Sequence, residues 1–214
     1  MSSPQDYAHL PEAAPRLMVI AGANGSGKTT LTNLLREHGN DLAEYLNADE
    51  IALGLTGEVH ERNLAAMHLS EQRRAALLAA RESFSLETVM SHTGKLDLMR
   101  EAKAKGYYVI LVFVALEDPI LNIERGAQRV SQGGHDVPTE KIVERYLRVM
   151  QYLPEAIRLA DYAVLYDNSS LCHRLVAVFE QGIVQALADA PPGWLKRYVI
   201  KPLKIRRNRL WVRL

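Results

Sequence analysis

Short, almost purely apolar runs alternate along this chain with longer stretches in which apolar residues recur every three or four positions. The runs predict five strands, at Leu17–Ala21, Glu44–Leu46, Phe84–Leu86, Tyr107–Leu116 and Tyr162–Tyr166. The periodic stretches predict helices between them. The first runs from Lys28 to Glu37 and ends near Gly39. A long one spans Arg62 to Ala80, with Leu64, Met67, Ala75, Leu78 and Ala79 as its buried stripe. Leu96 to Lys105 is stopped by Gly106. Asp118 and Pro119 open a helix from Ile120 to Val130, since aspartate caps and proline suits the first helical position. Thr139 to Tyr152 follows, and Leu171 to Ala188 reads as a closing helix. Strict alternation of strand and helix predicts an α/β fold: a five-stranded parallel sheet with helices on both faces.

The turn after the first strand carries chemistry. Gly22-Ala23-Asn24-Gly25-Ser26-Gly27-Lys28-Thr29 fits the pattern G-x-x-x-x-G-K-[ST], between a predicted strand and a predicted helix. Glycines let successive backbone N–H groups, and the helix N-terminus, face phosphate oxygens. Lys28 can reach the outer phosphates, and the Thr29 hydroxyl can ligate Mg²⁺. Residues 22–30 are therefore the expected binding site for Mg-ATP, and the fold class narrows to a P-loop NTPase of nucleoside-kinase-like form.

In such sheets ligands gather at the carboxyl ends of the strands. That rule selects the phosphate loop, Asn47-Ala48-Asp49, Glu87-Thr88 and Asp167-Asn168-Ser169. Asp49 is the candidate general base, just past a second strand expected beside the one bearing the phosphate loop. Capping a helix that starts at Glu50 is an equal alternative for it. Asn47, Glu87 and Thr88 are candidate acceptor contacts; a carboxylate at position 87 can hold an acceptor hydroxyl or a water on Mg²⁺. Asn168 is assigned to the nucleotide. Arg125 and Arg129, four apart on one helical face before Gly133-Gly134, suit a clamp on the γ-phosphate, and Arg145 is a weaker third candidate. No aspartate lies between Val109 and Ala115, where motor and switch NTPases carry a metal-binding acid. That favours transfer to a small acceptor over hydrolysis coupled to motion. His135 and Cys172 read as structural, and no histidines show metal-ligand spacing.

Composition changes the picture little. With 214 residues, 48% hydrophobic and 24% charged, the chain suits one soluble domain. A single cysteine excludes an intrachain disulfide framework. With neither a signal pattern nor a run long enough to cross a bilayer, the expectation is a cytoplasmic protein without membrane contact. Charge is uneven: Ala190 to Leu214 holds eight Lys/Arg and no acid, leaving 18 bases against 25 acids elsewhere. The expected layout is a loose lead-in over 1–15, a kinase domain over 16–189 and a basic extension over 190–214. Apolar residues interleave with the extension's charges, which favours an ordered extension, for example an added hairpin packed on the domain, over a nucleic-acid tail.

Five segments in order also resemble the zeta-toxin family of bacterial kinases: the phosphate loop, Asn47-Ala48-Asp49, Phe84-Ser85-Leu86-Glu87-Thr88, residues 129–138 (RVSQGGHDVP) and Tyr166-Asp167-Asn168-Ser169. The likeness covers about Arg16 to Gly182, and its Gly-Gly-His segment belongs to the shorter, Gram-negative-type branch. It implies transfer of the ATP γ-phosphate to a hydroxyl of a UDP-activated amino sugar, typically UDP-N-acetylglucosamine. It also implies toxicity, with an antitoxin protein as a partner to look for. Lys28 and Thr29 match the Mg-ATP ligands, Asp49 the catalytic base and Glu87 the acceptor-binding glutamate. Arg125 or Arg129 matches the first clamp arginine. The sequence departs from the prototype in two places. Thr88 follows Glu87 directly, with Val89 where the prototype has threonine, and the second clamp arginine has no clean counterpart. Related kinases of this shape phosphorylate antibiotics or nicotinamide dinucleotides, so the acceptor stays open. An RNA- or polynucleotide-directed kinase using the basic extension, and an acceptor-less regulatory ATP-binding module, are the alternatives.

Overall fold

A computed structural model describes residues 14–131, 138–206 and 212–214. Five parallel strands form its centre: β1 (Arg16–Ala21), β2 (Glu44–Leu46), β3 (Phe84–Thr88), β4 (Tyr108–Ala115) and β5 (Tyr162–Asp167). Between them run α1 (Lys28–Glu37), α2 (Ala48–Leu53), α3 (Val59–Ala80), α4 (Gly94–Ala104), α5 (Pro119–Ser131) and α6 (Thr139–Leu159). The order across the parallel part is β2-β3-β1-β4-β5. β2 therefore lies at the edge with β3 between it and β1, not beside the phosphate-loop strand as the sequence suggested. Register levels the strand ends, with Ala21 opposite Thr88 and Ala115 opposite Asp167. The turns that follow can then line one cleft.

Side-chain alternation along β1 divides the core. Leu17, Val19 and Ala21 join Leu96 and Met99 of α4 and Val149, Leu153 and Ile157 of α6 on one face. Met18 and Ile20 meet Leu31 and Leu35 of α1 on the other. β4 is buried on both faces from Val109 to Ala115, which explains its unbroken apolar run. α6 continues past the expected end through Pro154, because Leu153, Ala156 and Ile157 are all fully buried there. Burying three such side chains outweighs the ~3 kcal/mol cost of an interior proline.

Two further expectations are overturned. The segment read as a closing helix is a hairpin, β6 (Arg174–Glu180) and β7 (Ile183–Leu187), with β6 antiparallel to β5 and β7 antiparallel to β6. With β8 (Val212–Arg213) it extends the sheet to eight strands. Gln181 and Gly182 both take positive φ, 47° and 76°, as a two-residue hairpin turn requires. The stripe assigned to α3 also differs. Only Leu78 of the five residues is buried, and Ala66 and Leu77 accompany it. The main neighbour of α3 is α2 rather than the sheet, so Leu64 and Met67 remain exposed.

The described part of the basic segment is not a hairpin. Gly193–Ile200 is helical, its last turn a π-helix, and it sends Trp194, Leu195 and Val199 into the core. Lys196, Arg197, Lys201, Lys204 and Arg206 face outward. Two hydrogen bonds tie this segment to the turn after β4 and to the last residue of β5. The Gly193 N–H donates to Glu117 Oε2 (2.8 Å), and Trp194 Nε1 donates to buried Asp167 Oδ1 (3.0 Å). Trp194→Phe keeps most of the packing but removes that donor beside a buried carboxylate. It should lower stability by about 1–2 kcal/mol, read as a fall in urea midpoint with unchanged slope. An unshifted midpoint would show the bond to be dispensable.

Candidate active site

β1 delivers the chain into the loop 22–29, and that loop is built for close approach. A Cβ on Gly22 would lie 2.3 Å from the Val114 carbonyl oxygen, so only glycine passes beside β4. Gly27 caps α1 in the left-handed region (φ 94°) without a side-chain cap, leaving the first N–H groups of the helix to face the cleft. A Cβ there would collide with Asn168 Nδ2 at 2.3 Å. Buried Ser26 keeps an Oγ with no partner among the described residues. These features fit a phosphate chain.

The loop is held from outside as well. Asn168 Nδ2 donates to Ser26 O (2.9 Å), and His173 Nε2 donates to Gly27 O (3.0 Å). Desolvation, more than neighbouring Arg125, lowers the His173 pKa, so the ring is neutral at pH 7 and its Nε2 bears the proton. Asn122 Nδ2 donates to Asn24 O (2.6 Å), and Arg145 donates to Asn24 Oδ1 (3.3 Å). Neither Asn122 nor His173 was singled out from sequence. Asn122 was legible as a polar residue on the inward face of an amphipathic helix; His173 was hidden inside the misread segment.

Lys28 is nearly buried, and its Nζ donates to Ala23 O at 3.0 Å, holding the ammonium over the loop. Thr29 Oγ1 donates to Glu87 Oε1 at 2.7 Å. The other carboxylate oxygen of Glu87 accepts from Tyr45 OH (2.8 Å), which accepts in turn from Asn47 Nδ2 (3.1 Å). Burial first, and the Glu87 carboxylate second, push the Tyr45 phenol far above its ordinary range, so it stays a donor. The Thr29 hydroxyl and Glu87 carboxylate are hard oxygen donors, a set that fits Mg²⁺ completed by phosphate and water. Among the described residues no trio of His, Cys, Asp or Glu forms a metal cage.

Asp49 is exposed and lines the same cleft, of about 880 Å³, as Lys28, Thr29, Thr30, Asn47, Glu87 and Thr88. It is not a helix cap. Asn47 is, its Oδ1 accepting from the Asp49 N–H at 3.0 Å, and α2 begins at Ala48. Arg125, Arg145 and Asn168 line the cleft too. Arg125 also donates to Ser170 O at 3.4 Å. Arg129 lies within α5, but its side chain, like residues 132–137 with His135, falls outside the described residues. The cleft thus brings together a phosphate cradle, a cation, a metal-fitting oxygen pair and a separate carboxylate. That is the equipment for phosphoryl transfer.

Comparison with solved structures decides the architecture. AvrRxo1-ORF1, in a complex with ORF2 and ATP, matches with a TM-score of 0.62 at 18% identity over 80% of this chain and 60% of its own. A chain of the PezAT chromosomal toxin–antitoxin system of Streptococcus pneumoniae matches at 0.60 and 14% identity, over 92% of this chain and 81% of its own. The fold is shared with both of these proteins. A Pseudomonas fluorescens relative described as a nucleotide-binding protein is 24% identical over 157 residues, 73% of this chain. The chain spans about half the length of that relative and 60% of AvrRxo1-ORF1. No family model matches the sequence. Among the described residues no helix is long and apolar enough to cross a membrane.

Proposed function

We propose that this chain is an ATP-dependent phosphotransferase that moves the γ-phosphate onto a hydroxyl of a small molecule. The observation that carries the reading is the placement of Asp49 in one cleft with Lys28 and the Thr29–Glu87 pair. Residues 22–30 and Asn168 hold the nucleotide. Thr29 and Glu87 would hold Mg²⁺, which when bound offsets the charge of the outer phosphates. Asp49 accepts the acceptor's hydroxyl proton as that oxygen forms its bond to the γ-phosphorus. The bond from the γ-phosphorus to the β,γ-bridging oxygen breaks, and ADP leaves. Lys28 and Arg125 stabilise the moving charge, with Arg145 or Arg129 completing the clamp. Asn47 and Thr88 contact the acceptor.

A UDP-activated amino sugar such as UDP-N-acetylglucosamine is the favoured acceptor, on the resemblance of the five segments. The toxin–antitoxin setting of the PezAT neighbour supports a toxin restrained by an antitoxin. Incubation with γ-labelled ATP and a metabolite extract should give a labelled product other than inorganic phosphate. Label appearing only in inorganic phosphate, whatever extract is added, would replace this reading with an ATPase module.

A further inference from the structure

α5 carries Arg125 into the cleft, yet little apolar packing fixes this helix. Among the described residues neither hydrophobic cluster takes a member from it, and of its described side chains only Asn122 and Gly126 are buried. Gly126 meets α6, where a Cβ would come 3.4 Å from Ile142 Cδ1. Asn122, fully buried, meets the phosphate loop instead. Its Nδ2 donates to Asn24 O at 2.6 Å. One residue further along the loop, a Cβ on Gly25 would lie 2.9 Å from Asn122 O and 3.6 Å from Arg125 Cβ. The start of α5 therefore presses directly on the loop. Asn122 and Arg125 stand three positions apart, on one face of the helix.

Asparagine is a costly residue for that spot. Its Oδ1 is buried with no partner among the described residues, and an unpaired buried polar atom lowers stability where an apolar side chain of similar shape would not. The bond its amide does make joins neither α5 nor α6 but the loop that faces the phosphates. We propose that Asn122 is a positioning residue: by fastening α5 to Asn24 it sets Arg125 against the γ-phosphate, so that loop and clamp hold one geometry. Arg125 lines the cleft, and its bond to Ser170 O is long, at 3.4 Å. A guanidinium on so long a side chain needs a fixed backbone to keep its fork on phosphate oxygens. Asn122, less than one turn away, supplies that fixed point. Arg145 of α6 donates to Asn24 Oδ1 (3.3 Å), so one loop residue gathers both helices that bring these arginines to the cleft. The inference rests on the kinase reading for the role given to Arg125.

Asn122→Leu tests this, since it keeps the approximate shape while removing both the donor and the unpaired oxygen. The urea midpoint should be unchanged or higher. Affinities for ADP and for AMP-PNP, a non-hydrolysable ATP analogue, should stay within about threefold of the unaltered protein. Affinity for Mg-ADP–aluminium fluoride, which mimics the transferring γ-phosphoryl group, should fall by at least ~10-fold, because a misplaced clamp weakens the transition state more than the ground state. In an Arg125→Ala background the same substitution should change that affinity by less than about threefold, as when one residue acts through another. Asn122→Ala, which removes the donor and leaves a smaller side chain, should repeat the pattern at a lower midpoint. Equal weakening of all three ligands, an undiminished loss in the Arg125→Ala background, or aluminium fluoride binding that neither substitution weakens would overturn the proposal. Failure of the kinase reading gives a different result: analogue binding follows this pattern, yet no metabolite receives the labelled phosphate.

Discussion

Asp49→Asn is expected to lower phosphoryl transfer by at least ~10²-fold, the scale for loss of a positioned general base, with little change in ATP affinity. The substitution suits the question because it preserves shape. The Asp49 N–H that meets the Asn47 cap belongs to the backbone and survives, so the start of α2 should hold. The carboxylate serves no capping role whose loss would confuse the result. Steady-state kinetics with a labelled acceptor, alongside AMP-PNP titration, would separate kcat from binding. Turnover equal to that of the unaltered protein would remove Asp49 from the mechanism and point to Glu87, another carboxylate lining the cleft.

Lys28→Ala should cost more, because it acts on both binding and transfer. The residue is nearly buried at the mouth of α1, and its ammonium is held over the loop by Ala23 O. Removing it takes away a charge placed where negative charge must accumulate, with an expected loss of about 10³-fold in kcat/KM. AMP-PNP affinity should fall with it, since the same cation faces the ground-state phosphates. The folded state should survive, because both hydrophobic core clusters are built from other residues. Circular dichroism and urea unfolding would check that. If nucleotide affinity and turnover both persist, the nucleotide lies elsewhere and the loop is only a tight turn.

The parallel strands β1, β4 and β5 could be read from sequence because each is an apolar run bounded by turn residues. The phosphate loop could be read because glycine is forced at specific places: beside Val114 O at position 22 and beside Asn168 at position 27. The hairpin β6–β7 escaped because its buried run Val176–Phe179 has no polar alternation, and Gln181-Gly182 resembles an ordinary interruption in a helix. Continuous burial on both faces erases the period-two signal. The α3 stripe failed for the opposite reason. Apolar residues at helical spacing were present, but the helix leans on α2 near the cleft rather than on the sheet. Within the site, individual candidates were legible by position at strand ends. Their mutual bonds were not, since Tyr45–Glu87–Thr29 and Asn122–Asn24 join residues 42, 58 and 98 positions apart.

The inward side chains of Gly193–Ile200 bear on how the positively charged surface should be probed. Cutting the chain at residue 190 would not simply peel off a charged appendage. It would expose the pocket vacated by Trp194, Leu195 and Val199 and strip Asp167, the neighbour of Asn168, of its indole partner. A shortened protein that failed to retain RNA or nucleotide would thus report damage rather than docking. Reversing the outward charges at Lys196, Lys201 and Lys204 leaves the wedge seated, and so separates what the surface attracts from what the wedge supports.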